Sequence, residues 1–203
     1  LNVKKLPFEF NENYIIKRVF DFFLAVFVCL FIMSWLIPIL WVLIKIESKG
    51  PAIFSQKREG IDGKQFICYK FRSMKLNNQA DKVHAVENDN RVTRLGAFMR
   101  KTSIDELPQF FNVLKADMSV VGPRPHLPSL SSEYQKDVDD YLKRHLVKPG
   151  ITGLAQVSGY RGEIKKKSDI KNRVRLDIFY IENWSFLLDV KIIIMTILNV
   201  FKG

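Results

Sequence analysis

The chain has 203 residues, enough for one domain with a hydrophobic core or for one domain plus a membrane element. Its net charge of +11 points to an anionic partner: nucleic acid, a phosphorylated small molecule or an anionic membrane surface. The two cysteines, Cys29 and Cys68, lie in neither a CxxC motif nor a Cys/His cluster, so neither a zinc site nor a disulfide framework is indicated. We interpret both as reduced thiols of a cytosolic domain.

The first predicted element is an uncharged apolar run from Phe22 to Ile44, which follows an N-terminal arm at 1–15. As one helix it would be roughly 34 Å long, enough to cross a bilayer core. Pro38 predicts a kink, and because basic residues flank both ends, the positive-inside rule favours both flanks in the cytoplasm. We therefore expect residues 16–46 to form a bent, re-entrant helix, with an ordinary kinked span as the alternative.

Residues 47–203 are expected to form one cytosolic, membrane-associated domain. The turn signal GIDG between two short alternating runs predicts a β-hairpin within 53–74. Helical spacing of apolar residues predicts helices over 93–101 and from 102 onward. The polar stretch 76–92 is interpreted as a loop or short helix.

Farther along the chain, three prolines and a glycine in 118–128 predict a rigid turn. Residues 130–147 are predicted to form a polar helix and 148–162 a glycine-rich loop. An apolar helix over 185–201 is expected to lie in the membrane interface or to pack on the domain. The expected fold class is α+β and predominantly helical, with an N-terminal re-entrant membrane helix hairpin, a small β-hairpin and interfacial amphipathic helices.

Two adjacent acids, Asp105 and Glu106, lie in the stretch TSIDELPQFFNVLK. They fit helix capping, because Ser103 and Glu106 have the spacing of a capping box and Asp105 in the first turn favours the helix dipole. They also fit catalysis, because Mg²⁺ prefers one or two carboxylates plus phosphate oxygens from the substrate. Pro108 lacks the backbone donor that such a helix needs, so its start is placed nearer Leu107.

Basic residues around the acid pair favour the catalytic interpretation. Each alone is compatible with a solvated surface charge, but guanidinium and ammonium groups also bind phosphate. Together with the acids they make a set suited to pyrophosphate chemistry, namely Lys70, Arg72, Arg100 and Arg124. The histidines His84, His126 and His145 are scattered without metal-site spacing, and none is assigned a catalytic role.

Four segments resemble the bacterial sugar transferases known as monotopic phosphoglycosyl transferases. They are KRVFDFFLA, GPAIFSQKREGIDGKQFICYKFRSM, TRLGAFMRKTSIDELPQFFNVLKADMSVVGPRP and KPGITGLAQVSG. The resemblance runs from about Lys17 to the C-terminus and is to the small, minimal catalytic form. It implies transfer of a sugar 1-phosphate from a UDP-sugar to polyprenyl (undecaprenyl) phosphate with release of UMP, which initiates capsule, exopolysaccharide, O-antigen or glycoprotein glycan assembly.

The resemblance also implies residue roles. Asp105 matches the family's nucleophile, which forms a covalent phosphosugar intermediate, and Glu106 with Mg²⁺ supports it. Arg100 and Arg124 match phosphate binders, Lys70 matches the family's YKF lysine, and Asp177 matches an aspartate before a late aromatic pair. The implied location is the cytoplasmic face of the bacterial inner membrane, with membrane lipid as a partner.

The sequence departs from the family pattern at two places. The family usually has Ser-Pro at the bend of the membrane helix, whereas Ser34 is followed here by Trp35, with the proline at 38. Glycine is usual before DMS, where this chain has Ala116. Under this resemblance no nucleic-acid partner is expected, and a homo-oligomer is left open. The alternative functions are a membrane-anchored nucleic-acid-binding protein, suggested by the charge alone, and a membrane-anchored scaffold protein.

Overall fold

The computed structural model describes residues 5–76, 89–162, 164 and 166–202. Most of these residues are helical, as the predicted fold class requires. The helices are α1 (Asn11–Val28), α2 (Ser34–Glu47), α3 (Arg94–Thr102), α4 (Gln109–Leu114), α5 (Pro128–Asp137), α6 (Leu154–Val157), α7 (Lys167–Glu182) and α8 (Phe186–Lys202). Short 3₁₀ turns cover Pro7–Glu9, Ile61–Gly63, Ile104–Glu106 and Tyr141–Leu146.

Two small sheets complete the described chain. Strands β1 (Ile53–Glu59) and β2 (Gln65–Phe71) pair antiparallel, so the predicted hairpin is confirmed. The turn between them contains Asp62 at φ 55° and Gly63 at φ 71°, the left-handed geometry that the GIDG signal anticipates. A second, parallel pair joins β3 (Ser119–Val121) to β4 (Gly150–Thr152).

The apolar run lies in one long helical segment, Asn11–Glu47, which is long and apolar enough to cross a membrane. One π-helical turn, Cys29–Met33, separates α1 from α2, and Pro38 lies inside α2. The hydroxyl of Ser34 donates to the Leu30 carbonyl at 2.6 Å. A π turn, a proline and a back-bonding serine are three recognised causes of helix bending, all within ten residues.

Both halves of this long helix pack on the same domain. Ala25 of α1 joins a core cluster with β2, α4, β3, α7 and α8. Leu40 and Ile44 of α2 join a second cluster with Phe71 of β2 and Met99 of α3. The opposite face of the helix is exposed and apolar, with large side chains at Phe22, Phe23, Phe27, Leu30, Phe31, Trp35, Ile39 and Trp41.

Polar contacts fasten the N-terminal half of the long helix to the domain. Lys17 Nζ forms an ion pair of 2.6 Å with the buried Asp189 of α8. Arg18 donates to the backbone carbonyls of Val113 and Leu114, at 2.6 and 3.0 Å.

Polar contacts fasten the C-terminal half as well. Arg72 donates to the carbonyls of Ser48 and Lys49, both at 2.7 Å, and the Glu47 carboxylate accepts from the backbone of Leu95. The domain therefore holds residues before and after the apolar run.

Several element boundaries differ from the sequence prediction. Residue 11, within the predicted arm, already begins α1. The predicted helix over 130–147 is wrong as a single element, because Val138 is extended and Asp140 has φ 63°, which ends α5 and starts a 3₁₀ turn. The predicted loop over 148–162 contains β4 and α6. The predicted helix over 185–201 is confirmed as α8, which packs on the domain through Ile192.

The β3–β4 pairing depends on two glycines that let the backbones approach closely. A Cβ at Gly150 would collide with the backbone nitrogen of Gly122, and a Cβ at Gly122 would lie 2.6 Å from the Lys148 carbonyl oxygen. Gly122 is the first residue of the GPRP segment, so the parallel pair fixes the backbone position from which this segment leads to Arg124. Residues 77–88, which include His84 and most of the predicted loop or short helix over 76–92, lie outside the described residues.

Ala116, the departure from the family's glycine, has φ 66°. A left-handed backbone costs an alanine roughly 1–2 kcal/mol and costs a glycine little, although glycine loses more entropy on folding. We predict that Ala116→Gly raises the free energy of unfolding by about 1 kcal/mol. For a chain of this size, that corresponds to a melting temperature higher by about 2–4 °C. The same substitution at the exposed helical Ala97 should lower it. A lower melting temperature for Ala116→Gly would contradict the expected strain.

Candidate active site

The acid pair lies in a cavity of about 950 Å³ that is rich in basic side chains. It is bounded by the β1–β2 hairpin, the GPRP segment, α5 and the first turns of α7. Its volume is at the upper end of the range of small-molecule sites. The basic residues among its lining are Arg58, Lys70, Arg72, Lys75, Arg91, Arg100, Arg124, Arg161, Lys166, Lys167 and Arg173.

A tight turn presents the two acids to this cavity. Ser103 has φ 61°, which ends α3, and the 3₁₀ turn Ile104–Glu106 follows directly. The predicted capping box is wrong: Ser103 makes no side-chain cap, and its hydroxyl accepts instead from Arg161 at 2.6 Å. As expected from Pro108, the next helix begins only after that residue, at Gln109.

Glu106 is the centre of a buried cluster of charges. Its carboxylate is bound by Lys70 at 2.9 Å, by Arg124 at 2.6 and 3.2 Å, and by Arg161 at 3.4 Å. The residue is only 5% exposed. Burial alone would raise the pKa of Glu106, but the attraction of Arg124, Lys70 and Arg161 outweighs burial and holds that pKa well below its ordinary value. Glu106 is therefore an ionised carboxylate whose oxygens are already occupied by cations.

Asp105 has the opposite character. It is 7% exposed and lines the cavity, yet its carboxylate has no hydrogen bond or ion pair within the described ranges. Burial raises the pKa of Asp105, and the negative charge of Glu106 raises it further. The positive charge of Lys70 opposes this rise without cancelling it. Two neighbouring carboxylates thus have pKa values shifted in opposite directions, a pattern that marks different chemical roles.

The other predicted site residues divide into two groups. Lys70, Arg100 and Arg124 face the acid pair: the first and last bind Glu106, and Arg100, which donates to Ser73 at 2.8 Å, lowers the pKa of Asp105. Arg72 is 5% exposed and its guanidinium is directed at the C-terminal carbonyls of α2. The structure brings Arg72 to the wall of the cavity, but its two terminal nitrogens bind the carbonyls that directly follow α2, and its Nε has no hydrogen-bond partner among the described residues.

Comparisons with known proteins identify the family of the chain. Residues 12–203 match the family profile described as bacterial sugar transferase. The chain belongs to the bacterial sugar transferase family. This assignment confirms the resemblance drawn from the DELPQ and GPRP motifs.

Three relatives show the range of this sugar transferase's similarity. It is 48% identical over 192 residues to the UDP-glucose:undecaprenyl-phosphate glucose-1-phosphate transferase of Klebsiella pneumoniae, covering 94% of this chain and 40% of the relative. It is 43% identical over 190 residues to the UDP-N-acetylgalactosamine-undecaprenyl-phosphate N-acetylgalactosaminephosphotransferase of Aeromonas hydrophila, covering 93% and 44%. It is 40% identical over 190 residues to the exopolysaccharide production protein PSS of Rhizobium leguminosarum bv. phaseoli, covering 91% and 94%. The chain thus spans less than half of the first two relatives and nearly all of the third.

Asp177, predicted to bind substrate, is not part of the lining of the cavity. It is 2% exposed, and its Oδ2 accepts from Arg144 Nε at 3.0 Å and from the terminal nitrogen of Arg144 at 2.8 Å. Burial raises the pKa of Asp177, and Arg144 opposes that rise. The same nitrogen of Arg144 also donates to the backbone carbonyl of Arg124, at 2.8 Å. Asp177 therefore acts on the site through Arg144, by fixing the backbone that carries Arg124.

Three residues of the candidate site are not among the site residues drawn from the sequence. Arg161 lies in the glycine-flanked segment SGYRG, at the start of a basic run that fits binding of nucleotide phosphate or lipid headgroups as well as a solvated surface. Arg144 and His126 carry no local sequence signal, since their contacts join residues far apart in the chain. A metal cluster of three or more His, Cys, Asp or Glu side chains is absent among the described residues.

The Arg144–Asp177 pair predicts a large stability effect. Asp177→Leu would leave a buried, 3% exposed arginine without its counter-ion, which typically costs about 3–5 kcal/mol of the free energy of unfolding. Thermal unfolding of the detergent-solubilised chain measures this. The matched control is Lys167→Met, which breaks a pair between an exposed lysine and Asp137 and should leave the melting temperature unchanged. An unchanged melting temperature for Asp177→Leu would contradict the positioning role.

Proposed function

We propose that this sugar transferase moves a sugar 1-phosphate from a UDP-sugar to polyprenyl phosphate and releases UMP. The observation that carries the proposal is the unpartnered Asp105 carboxylate in a basic cavity, next to a Glu106 saturated with cations. The names of the relatives, which use UDP-glucose or UDP-N-acetylgalactosamine and undecaprenyl phosphate, support both substrate classes.

In the first step, an oxygen of Asp105 attacks the phosphorus that bears the sugar. A bond forms between that oxygen and phosphorus, the bond from phosphorus to the bridging oxygen breaks, and UMP leaves with the electron pair. A carboxylate needs no deprotonation once ionised, and a raised pKa of Asp105 makes it a stronger nucleophile. In the second step, an oxygen of polyprenyl phosphate attacks the same phosphorus, and the Asp105 carboxylate is released unchanged.

The cations around Glu106 are suited to the charge that develops in both steps. Arg124 and Arg161 end in planar guanidinium groups, which bind phosphate oxygens in pairs. Glu106 holds these groups and Lys70 in place before the substrate enters, so little reorganisation is needed when charge moves toward the departing UMP. Glu106 is therefore a positioning residue for the cations, while Asp105 touches the reacting atom.

The donor set also fits Mg²⁺ in part. Asp105 offers free carboxylate oxygens in a cavity that admits phosphates, which is the combination Mg²⁺ prefers. The oxygens of Glu106 are taken by Lys70, Arg124 and Arg161, so Glu106 could join only if one of these withdrew. We keep Asp105 and Glu106 as the proposed metal residues. A bound Mg²⁺ would supply neutralisation of phosphate charge.

The membrane arrangement follows from where the long helix is fastened. The domain binds Lys17 and Arg18 on one side of the apolar run and Glu47 on the other. Because one domain cannot hold both ends of a helix that crosses the bilayer, we propose that residues 16–46 enter and leave by the cytoplasmic face. The exposed apolar faces of this helix and of α8 would lie in that leaflet.

This placement lets one site serve substrates from two phases. A UDP-sugar arrives from water, whereas polyprenyl phosphate keeps its tail in lipid and presents its phosphate at the interface. We propose residues 47–203 as the catalytic domain and the bacterial inner membrane as its location. The process would be the start of capsule, exopolysaccharide, O-antigen or glycoprotein glycan assembly, and a relative named for exopolysaccharide production supports this class.

Removal of the nucleophile tests the chemistry. We predict that Asp105→Asn lowers UMP release from a UDP-sugar panel at least about a thousandfold, because the amide cannot form the acyl phosphate. Glu106→Gln should lower it about a hundredfold by releasing the cations. The matched control, Asp62→Asn, changes an exposed turn residue and should keep full activity. Turnover of Asp105→Asn, or failure to trap labelled sugar phosphate on residue 105 of the parent chain, would rule out attack by that carboxylate.

Cysteine labelling tests the topology. Lys5→Cys and Lys49→Cys place exposed thiols on the two sides of the apolar run. With a membrane-impermeant maleimide, we predict that neither is labelled in intact cells and both are labelled after lysis, because both flanks face the cytoplasm. The chain with only its native cysteines gives the background. Labelling of one position from outside would show that the helix crosses the membrane.

A further inference from the structure

Besides Arg72, two buried side chains that line the same cavity carry nitrogens without a hydrogen-bond partner among the described residues. His126 is 5% exposed and Arg173 is 7% exposed, and both line the cavity that holds Asp105. His126 Nε2 and Arg173 Nε are fully buried, and neither has a hydrogen-bond partner in the described part of the chain. A buried donor without a partner normally costs stability, so a ligand that accepts from it is the usual explanation.

The contacts of His126 fix which of its nitrogens carries the proton. Its Nδ1 lies 2.8 Å from a terminal nitrogen of Arg144, which can only donate, so Nδ1 is an acceptor. Burial and the positive charge of Arg144 hold the pKa of His126 well below its ordinary value, so the ring is neutral. A neutral ring that accepts at Nδ1 carries its hydrogen at Nε2. His126 therefore carries one neutral N–H, at Nε2, on a side chain that lines the cavity.

The surroundings of these donors form a compartment between α5 and α7. Leu130 and Tyr134 from α5 line one side, and Ile170 from α7 lines the other. The His126 ring is in edge contact with Tyr134, at 5.5 Å between centroids. The compartment thus has apolar and aromatic walls and two N–H donors, a combination suited to a flat heterocycle with carbonyl oxygens.

We propose that this compartment binds the uracil base of the nucleotide, with His126 Nε2 and Arg173 Nε donating to its carbonyl oxygens. The inference rests on the proposed function, since it names the part of the UDP-sugar that enters the compartment. His126 lies two residues after Arg124, which puts their Cα atoms no more than about 7 Å apart. The compartment is therefore adjacent to the cations proposed to bind phosphate.

Two considerations favour the base over the sugar as the occupant. A hexose presents hydroxyl groups that donate as well as accept, and the two unpartnered buried atoms of the compartment are both donors. Relatives named for glucose and for N-acetylgalactosamine share a UDP donor, so a uracil site is compatible with either. Donors facing carbonyl oxygens would also disfavour cytosine, which has an amino group where uracil has a carbonyl.

The test uses calorimetric binding of UMP, CMP and inorganic pyrophosphate to the full chain in nanodiscs. His126→Asn keeps an acceptor for Arg144 but is too short to place a donor at the Nε2 position, whereas His126→Gln restores that donor. We expect UMP to bind about tenfold more weakly to His126→Asn, with a smaller UMP-over-CMP preference and unchanged pyrophosphate affinity. His126→Gln should keep most of the UMP affinity.

Two further variants guard against a general effect on folding. Arg173→Lys keeps the charge and can still reach the Gly162 carbonyl, but it removes the Nε donor, so UMP should again bind about tenfold more weakly. The matched control His145→Asn changes a histidine outside the cavity and should bind UMP like the parent.

The outcomes separate this inference from the proposed function. Equal losses of UMP and pyrophosphate affinity in His126→Asn would overturn the base assignment. Unchanged UMP binding by His126→Asn together with a raised KM for the UDP-sugar would also overturn it, because that result would place the sugar in the compartment. If the parent chain binds no UMP and releases none from any UDP-sugar, the proposed function fails and the inference fails with it. If the parent is active and the variants keep the UMP-over-CMP preference, only the inference fails.

Discussion

The burial of the Glu106 carboxylate among three cations is the interaction on which the rest of the site depends. Lys70 comes from β2, Arg124 from the GPRP segment and Arg161 from the loop after α6, so one carboxylate joins three separate parts of the chain. Their attraction outweighs the cost of burying the charge, as the lowered pKa of Glu106 shows. By accepting these cations, Glu106 leaves the neighbouring carboxylate of Asp105 free. Two acids of the same type thereby acquire different roles from their surroundings.

A second buried network supports the first from behind. Arg144 binds Asp177, the Nδ1 of His126 and the backbone carbonyl of Arg124, so it holds the PRPH segment at two points. Tyr141 extends this network, with its hydroxyl 2.7 Å from the same His126 nitrogen. Buried polar groups that bind one another favour one arrangement of the loop that carries them. The position of Arg124 at Glu106 is therefore specified from both sides, by the carboxylate in front and by Arg144 behind.

The sequence was informative where local chemistry decides structure. GIDG predicted the hairpin and Pro108 the late start of α4, and the motif around Asp105 drew attention to the residues that the structure brings together in one cavity. It failed where contacts between distant residues decide. Ser103 has the spacing of a cap, yet its hydroxyl is used by Arg161, which lies 58 positions later. The sequence predicts Arg72 to bind phosphate because it lies two residues after Lys70. Alternate residues of an extended chain need not share partners, however, and the terminal nitrogens of Arg72 bind the carbonyls just after α2. Arg144 has no local pattern at all, because its role exists only in the folded network.

The membrane helix and the active site are connected through short stretches of backbone. Arg72 directly follows the hairpin strand β2, which carries Lys70, and it donates to the carbonyls of Ser48 and Lys49 just after α2. Asp21 of α1 accepts from the backbone of Val120, which lies in the strand that leads into the GPRP segment. The elements that deliver Lys70 and Arg124 to Glu106 are thus each attached to one half of the long helix. Because both attachments are hydrogen bonds, the position of the long helix and the position of the acid pair cannot vary independently; under the proposed membrane placement, this fixes the height of the acid pair above the lipid. A polyprenyl phosphate held at the interface would then meet Asp105 at one fixed distance from the bilayer.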